Sequence, residues 1–208
     1  MLWYLIKTWV GREEDLVKEI RRTVASYLFK ECFVIYQERI WRKQQRSIVH
    51  RELLFPGCVF LTCEGEEIGR ISRRRELAAG ISRLMGRSGL SILPMMPEDA
   101  RFLERISGEE HVVKLSYVQK DEEGMVCGLS EPLKVCQGQI ERIQFKKRYA
   151  MVRCRLWGEE KMLVLGIMLK EDDNRVMLTG SEAGNAAKGT EEKMEITDMM
   201  KIPAKEMA

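Results

Sequence analysis

Trp3 to Val10 is a short apolar run of β-branched and aromatic residues, interrupted at Lys7 and closed by Gly11. Such a run predicts a strand buried on at least one face. An amphipathic helix is expected next, over about Arg12 to Phe29, because Leu16, Val17, Ile20, Val24, Tyr27 and Leu28 recur at helical spacing. Glu13, Glu14 and Asp15 fall in its first turn and Lys18, Arg21 and Arg22 come later, an order that suits the helix dipole.

The remaining elements follow from the same periodicities. Cys32 to Tyr36 predicts a strand running on into Glu38 to Trp41, and the basic, polar stretch Arg42 to Arg51 predicts a hairpin arm. Pro56-Gly57 punctuates an apolar run, so a turn should open a strand at Cys58 to Thr62. A helix is expected over Glu66 to Leu77 and a short strand around Ile81 to Met85. Pro97 should open a further helix at its first position, with Ala100, Leu103 and Ile106 buried and Ser107-Gly108 ending it. Val113, Leu115 and Tyr117 alternate as a strand. Residues 119–130, with Lys120-Asp121-Glu122-Glu123-Gly124 at their centre, read as a solvated linker between a first domain at 1–118 and a second at 131–172. The second carries strand signals only: Leu133 to Cys136, Ile140 and Ile143, the alternating Tyr149 to Trp157, and Met162 to Leu165. Short strands packed so closely predict a small barrel. Residues 173–208 lose periodicity and read as a disordered tail.

With 208 residues, 45% apolar and 32% charged, the chain fits one large domain or two small ones and is not collagen-like or wholly disordered. A net charge of +3 says little by itself. No apolar run reaches the roughly 18–20 residues that span a bilayer, and the first residues lack the basic start and cleavage site of a signal peptide. A cytoplasmic monomer with no membrane partner is expected. The six cysteines, at 32, 58, 63, 127, 136 and 154, form no CxxC pair, and His50 and His111 are the two histidines. Zinc is therefore disfavoured. No cofactor is expected either: no Walker A, GxGxxG or nucleophile motif occurs, so an enzyme is not expected.

Several fixed points in order resemble the NusG family of transcription elongation factors. They are Trp3-Tyr4 followed by Gly11 and a helix, Leu54-Phe55-Pro56-Gly57-Cys58-Val59-Phe60, Ala79 to Gly86, Leu93-Pro94 with the helix after Pro97, Gly138-Gln139-Ile140, Lys146-Lys147-Arg148-Tyr149-Ala150, Leu156-Trp157-Gly158 and Leu165-Gly166-Ile167. The resemblance covers about residues 2–171. It implies an N-terminal α/β sandwich (NGN-like) that docks on the clamp helices of RNA polymerase, then a five-stranded SH3-like β-barrel (KOW). The basic arms and the Thr8 to Glu14 opening look more like the specialised antitermination paralogues, LoaP and RfaH, than the housekeeping factor. Cys58 replaces the family's usual Tyr and removes one aromatic from the contact, and Glu131-Pro132-Leu133 replaces its Gly-Pro-Phe or Gly-Pro-Leu.

Carried onto these positions, the resemblance implies a polymerase contact at Trp3, Lys7, Trp9, Leu54, Phe55, Pro56, Gly57 and Cys58. Phe55 in an apolar run also reads as plain core, so both roles stand at this point. Five Arg or Lys and no acid lie between Arg39 and Arg51, and six bases against one acid between Arg70 and Arg87. Arg42, Lys43, Arg46, Arg73 and Arg74 are candidates for non-template DNA, the alternative being a solvated basic face. Lys134 to Lys170 holds nine bases and three acids. Its alternation puts Ala150, Val152, Cys154 and Leu156 on one face and Tyr149, Met151, Arg153, Arg155 and Trp157 on the other. Arg142, Lys146, Lys147, Arg148, Arg153 and Arg155 could neutralise phosphates of nascent RNA while Tyr149 and Trp157 stack bases. Three functions stay open: an antitermination factor with an RNA-reading barrel, a housekeeping factor whose barrel binds Rho or a ribosomal protein, and a KOW RNA-binding protein of the translation machinery.

Overall fold

A computed structural model describes residues 1–43, 46–64, 75–81 and 92–178, without the side chains of 42, 43, 46 and 173–178. It is a mixed α/β fold built from three sheets. β1 (Leu2–Lys7) lies inside the first sheet, antiparallel to β5 (Cys58–Cys63) on one side and to β6 (Ile92–Pro94) on the other, with β2 (Glu31–Phe33) beyond β5. Successive strand residues point to opposite faces, and here both faces are covered. Tyr4, Ile6, Val59 and Leu61 pack with Leu16, Val17 and Ile20 of α1 (Glu13–Thr23). Trp3, Leu5, Cys58 and Phe60 face the other way, toward Ala100, Leu103 and Ile106 of α3 (Pro97–Ser107). Two-sided burial is why the opening run is apolar without alternation. Each such aliphatic side chain contributes about 1.5–3 kcal/mol.

A second sheet has the order β13-β4-β3-β7, formed by β3 (Tyr36–Lys43), β4 (Arg46–Leu53), β7 (Val112–Val113) and β13 (Val176–Leu178). The expected continuous strand from Cys32 to Trp41 breaks at Val34-Ile35. There the chain passes between sheets, burying Val34 in the α1 cluster and Ile35 in the opposite one. The third sheet has the order β10-β11-β12-β8-β9, from β8 (Ser116–Lys120), β9 (Val126–Leu129), β10 (Ile140–Gln144), β11 (Tyr149–Leu156) and β12 (Glu159–Met168).

Several expectations change. α1 stops at Thr23, with Val24 extended and a 3₁₀ turn at Ser26–Leu28. The β-branched pair Thr23-Val24 favours leaving the helix, and Tyr27 is exposed instead of joining the stripe. The helix expected over 66–77 falls partly outside the described residues, but 75–81 are helical (α2), so Ile81 belongs to a helix and not to a strand. The 119–130 linker is instead the β8–β9 hairpin. Its charged centre is a turn in which the Asp121 carboxylate accepts the Glu123 and Met125 N–H groups at 3.1 and 2.7 Å, the local bonding that makes Asp a turn residue. Leu133–Gln139 is a 3₁₀ helix rather than a strand. Its three-residue period puts Leu133 and Cys136 on one side, and both are fully buried.

The first part of the expected tail is ordered too. Val176–Leu178 runs parallel to β4, with Val176 opposite Ser47, while 179–208 lie outside the described residues. Leading into it, Arg148 is 3% exposed, with a positive φ of 55°. Its guanidinium meets Asp172 at 2.5 Å, Glu171 and the Phe145 carbonyl. One buried apolar cluster runs from Trp3 and Phe55 through α3 to Leu163, Leu165 and Leu169, so the third sheet shares a core with the first.

Candidate functional site

The Phe55-Pro56-Gly57 turn is held from three directions. Leu54 N–H donates to the Ile35 carbonyl at 2.9 Å, Thr8 N–H to the Gly57 carbonyl at 2.9 Å, and Gly57 N–H to the Glu13 carboxylate at 2.6 Å. Gly57 has φ +75°, and a Cβ there would stand 3.1 Å from the Thr8 carbonyl oxygen, so conformation and close approach both call for glycine. Glu13, an acid at the helix start, is 2% exposed. Burial works to raise its pKa, but backbone N–H groups of Gly57, Glu13, Gly11 and Arg12 outweigh it and hold the carboxyl below its ordinary value of 4.5. A depressed folded pKa gives stability that is fully present above the unfolded value and is lost as pH falls through the folded one. Glu13→Ala should cost about 1–3 kcal/mol at neutral pH by leaving buried donors unpaired. Urea titrations should show that deficit shrinking as the pH drops below 4.5; a deficit constant with pH would remove the carboxylate from this role.

Beside this turn an aromatic cluster crosses between sheets. Trp3 meets Phe33 and Phe60 edge-on, with centroids 5.3 and 6.1 Å apart, and Phe55 meets Phe60 at 5.9 Å. Phe55 is 8% exposed because Trp157, from the turn between β11 and β12, packs on it at 5.2 Å and 70°. The Lys7 and Lys161 ammonium groups lie 5.1 and 5.2 Å from the Trp157 ring, within cation–π range. Its backbone N–H donates to the buried Asp99 carboxylate at 2.8 Å, while the indole Nε1 is buried without a partner. Lys7 Nζ also reaches Cys58 Sγ at 3.5 Å. Burial pushes the Cys58 thiol up, and Lys7 offsets only part of that.

Of the expected docking set, Lys7, Phe55, Gly57 and Cys58 therefore converge, with Leu54 half-buried alongside and Pro56 exposed. Trp3 stands behind them in the core. Trp9 is 80% exposed and borders a hollow of about 710 Å³ with Thr8, Arg12, Asp15, Leu16, Lys18 and Glu19. The Phe55 contact with Trp157 had no signal in the sequence, and neither had the partners of Glu13 and Asp99, which look like ordinary first-turn acids.

The expected nucleic-acid set divides. On β11 the burial alternates as the sequence predicts, with Ala150, Val152, Cys154 and Leu156 buried and Arg153 and Arg155 exposed. Lys146 and Lys147 are exposed in the turn before it, and Arg142 is half-buried. Arg153 is engaged by Glu141 and Glu160. Arg148, expected to meet phosphate, is instead committed to its buried carboxylates, and Trp157, expected to stack a base, is covered by Phe55. Tyr149 lies beneath the Arg39 guanidinium at 5.7 Å. Arg42, Lys43 and Arg46 sit at the end of the β3–β4 hairpin, where Lys43 pairs with Arg46. Arg73 and Arg74 lie outside the described residues.

The six cysteines are free, and burial raises Cys32 to about 12 and Cys136 and Cys154 to about 11, so these three are protonated thiols at neutral pH. Among the described residues no three His, Cys, Asp or Glu gather as a metal would need, and no helix is long and apolar enough to cross a membrane.

No protein-family profile matches the sequence, and no curated protein matches it. Among solved structures the chain is similar to one reporting domain interaction in Thermotoga maritima NusG. The sequence identity is 19% and the TM-score 0.39, over 79% of this chain and 93% of that chain. A likeness of that size carries no functional conclusion.

Proposed function

We propose that this chain is a cytoplasmic transcription elongation factor of the NusG type, in which the Phe55 face of the first sheet docks on the clamp helices of RNA polymerase. The specialised antitermination role is favoured, with the basic third sheet meeting nascent RNA. The ordered series of motifs through residues 2–171 supports the family, and one structural observation carries the docking face. Phe55, Leu54 and Cys58, with the Lys7 ammonium beside them, form a face whose cover is Trp157, a side chain from the turn between β11 and β12 with an unpaired indole N–H. A buried unpaired donor costs about 1–3 kcal/mol, so the cover is one that an apolar helix can displace, in the manner of helix-in-groove recognition. Calorimetric titration of the full chain with an isolated clamp-helix coiled coil tests this, and Phe55→Ala should weaken the binding roughly thirtyfold.

The burial of Arg148 and the pairing of Arg153 favour a second reading for the third sheet, in which it binds a protein such as Rho or a ribosomal protein. Salt separates the two. Contacts from Lys146, Lys147 and Arg155 to single-stranded RNA give a log–log slope near about −2, at ~0.7 per phosphate. Replacing Lys146 and Lys147 by Ala leaves one contact and should bring it to about −0.7. Salt-insensitive or absent RNA binding would hand the sheet to protein partners.

A further inference from the structure

The β8–β9 hairpin carries a second hollow, of about 300 Å³, that neither the polymerase contact nor the basic strands use. Tyr117, Val118 and Gln119 of β8 line it together with Gly128, Leu129 and Ser130 of β9, and Lys170 completes the lining. The register sets Gln119 opposite Gly128, and the Tyr117 N–H donates to Ser130 Oγ at 2.7 Å. Opposite residues share a face of the ribbon, so Tyr117 and Gln119 stand beside positions with little or no side chain, which leaves the space. Tyr117 is 37% exposed, and β9 is the outermost strand of the third sheet among the described residues. The exposed ammonium of Lys170 is the one charged group of the lining.

We infer that this hollow seats the chain's own C-terminal segment, Met194 to Ile202, laid across it in extended form. The sequence there alternates: Met194, Ile196, Met200 and Ile202 share one side with Asp198 at their centre, while Glu195, Thr197, Met199 and Lys201 share the other. An apolar side with one central carboxylate complements a largely apolar hollow with one ammonium. Methionine suits the irregular space, because its unbranched chain fills gaps and its thioether packs well against an aromatic ring such as Tyr117. The tether has the right length. From Lys170 the chain runs through the 3₁₀ helix Lys170–Arg175 and β13 to Leu178, a span of about 20 Å at most. The 16 steps from Leu178 to Met194 have a root-mean-square reach of roughly 20–24 Å. A tether whose reach matches the span gives the highest effective concentration, an advantage that a second copy's segment lacks. Once seated, the segment covers the hairpin face, and a protein partner of the third sheet has to displace it there.

Methyl NMR of the full chain with isotope-labelled methionine methyls tests this. In the wild type the Met194 and Met200 methyls should show nuclear Overhauser contacts to the Tyr117 ring, while Met207, beyond the segment, keeps the shift of a free methionine. Met200→Asp should lower the docked-to-free ratio roughly tenfold or more, read from the Met194 shift. Lys170→Glu and Asp198→Lys should each lower it roughly twofold to fivefold, and the two together should restore it. None of these side chains belongs to the buried clusters, so the fold is kept in every variant. Free-methionine shifts for Met194 and Met200 in the wild type, or shifts indifferent to Lys170→Glu, would overturn the inference and leave the hollow to a separate protein. Wild-type shifts that revert to free values on dilution would overturn it too, by assigning the seated segment to a second copy. The polymerase reading stands or falls separately, because the clamp-helix titration reads the Phe55 face and not this one.

Discussion

Asp172→Ala should destabilise the protein by about 3–5 kcal/mol, the usual consequence of removing one partner from a buried ion pair. Its carboxylate meets Arg148 Nε at 2.5 Å and accepts the Leu169 N–H at 2.9 Å. Without it, a nearly inaccessible guanidinium keeps only Glu171, which is largely in water, and a backbone carbonyl. The contact closes the turn before β11 onto the segment after β12, and from there the chain crosses to pair β13 with β4. Replacing both partners by apolar residues, Arg148→Met with Asp172→Leu, should recover most of the loss, because breaking a buried pair costs far more than exchanging it for packing. Urea midpoints of the two single variants and the double variant decide this. A loss under about 1 kcal/mol for Asp172→Ala would mean that water reaches Arg148, as at surface pairs.

Gly166→Ala should be almost as severe and act at a different place. Gly166 lies in β12 opposite Tyr149 of β11, and an added Cβ would collide with the Glu38 carbonyl oxygen and stand 2.7 Å from Leu115 Cδ2. Backbone on one side of this contact meets backbone on the other, so the strain cannot be relieved by a rotamer. β12 must move away from β3. That movement breaks the Arg39 hydrogen bond to the Val164 carbonyl, now 3.3 Å, and loosens Trp157 from Phe55. Overpacking of this kind typically costs 1–3 kcal/mol, occasionally more, and the upper end, about 3 kcal/mol, is expected. Hydrogen exchange should then speed up at the Trp157 amide, which Asp99 holds in the wild type. Unchanged exchange there would mean that β12 and Trp157 are not mechanically linked.

What the sequence discloses and what it hides divide along contact range. Local periodicity announces β1, α1 and α3, and the alternation from Tyr149 to Leu156 is a two-residue pattern that burial reproduces. Lys120 to Gly124 misleads because a hairpin turn and a linker draw on the same polar residues, and only the Asp121 bonds tell them apart. Leu133 and Cys136 look like strand residues until their spacing of three is set against a 3₁₀ helix. Arg148 and Trp157 mislead for a deeper reason. Each sits among bases and aromatics that suit nucleic acid, yet Arg148 meets its carboxylate 24 positions later, and Trp157 meets Phe55 from the turn of a different sheet, distant in sequence. Neither partner leaves a local trace. The Phe55 turn was legible as a motif, while its present cover was not.

The central claim is that the Phe55 face, once uncovered, binds the polymerase clamp helices. The most direct test is calorimetric titration of an isolated clamp-helix coiled coil with the wild-type chain, Gly166→Ala, and Gly166→Ala combined with Phe55→Ala. Wild type should bind weakly because Trp157 occupies the face. Gly166→Ala should bind about tenfold or more tightly, equal to ~1.4 kcal/mol of relieved competition. Adding Phe55→Ala should remove that gain, since truncating an interface aromatic costs about 2 kcal/mol or more. Binding that is absent throughout, or that ignores both Gly166 and Phe55, would contradict the account and return Phe55 to the core as its sole role.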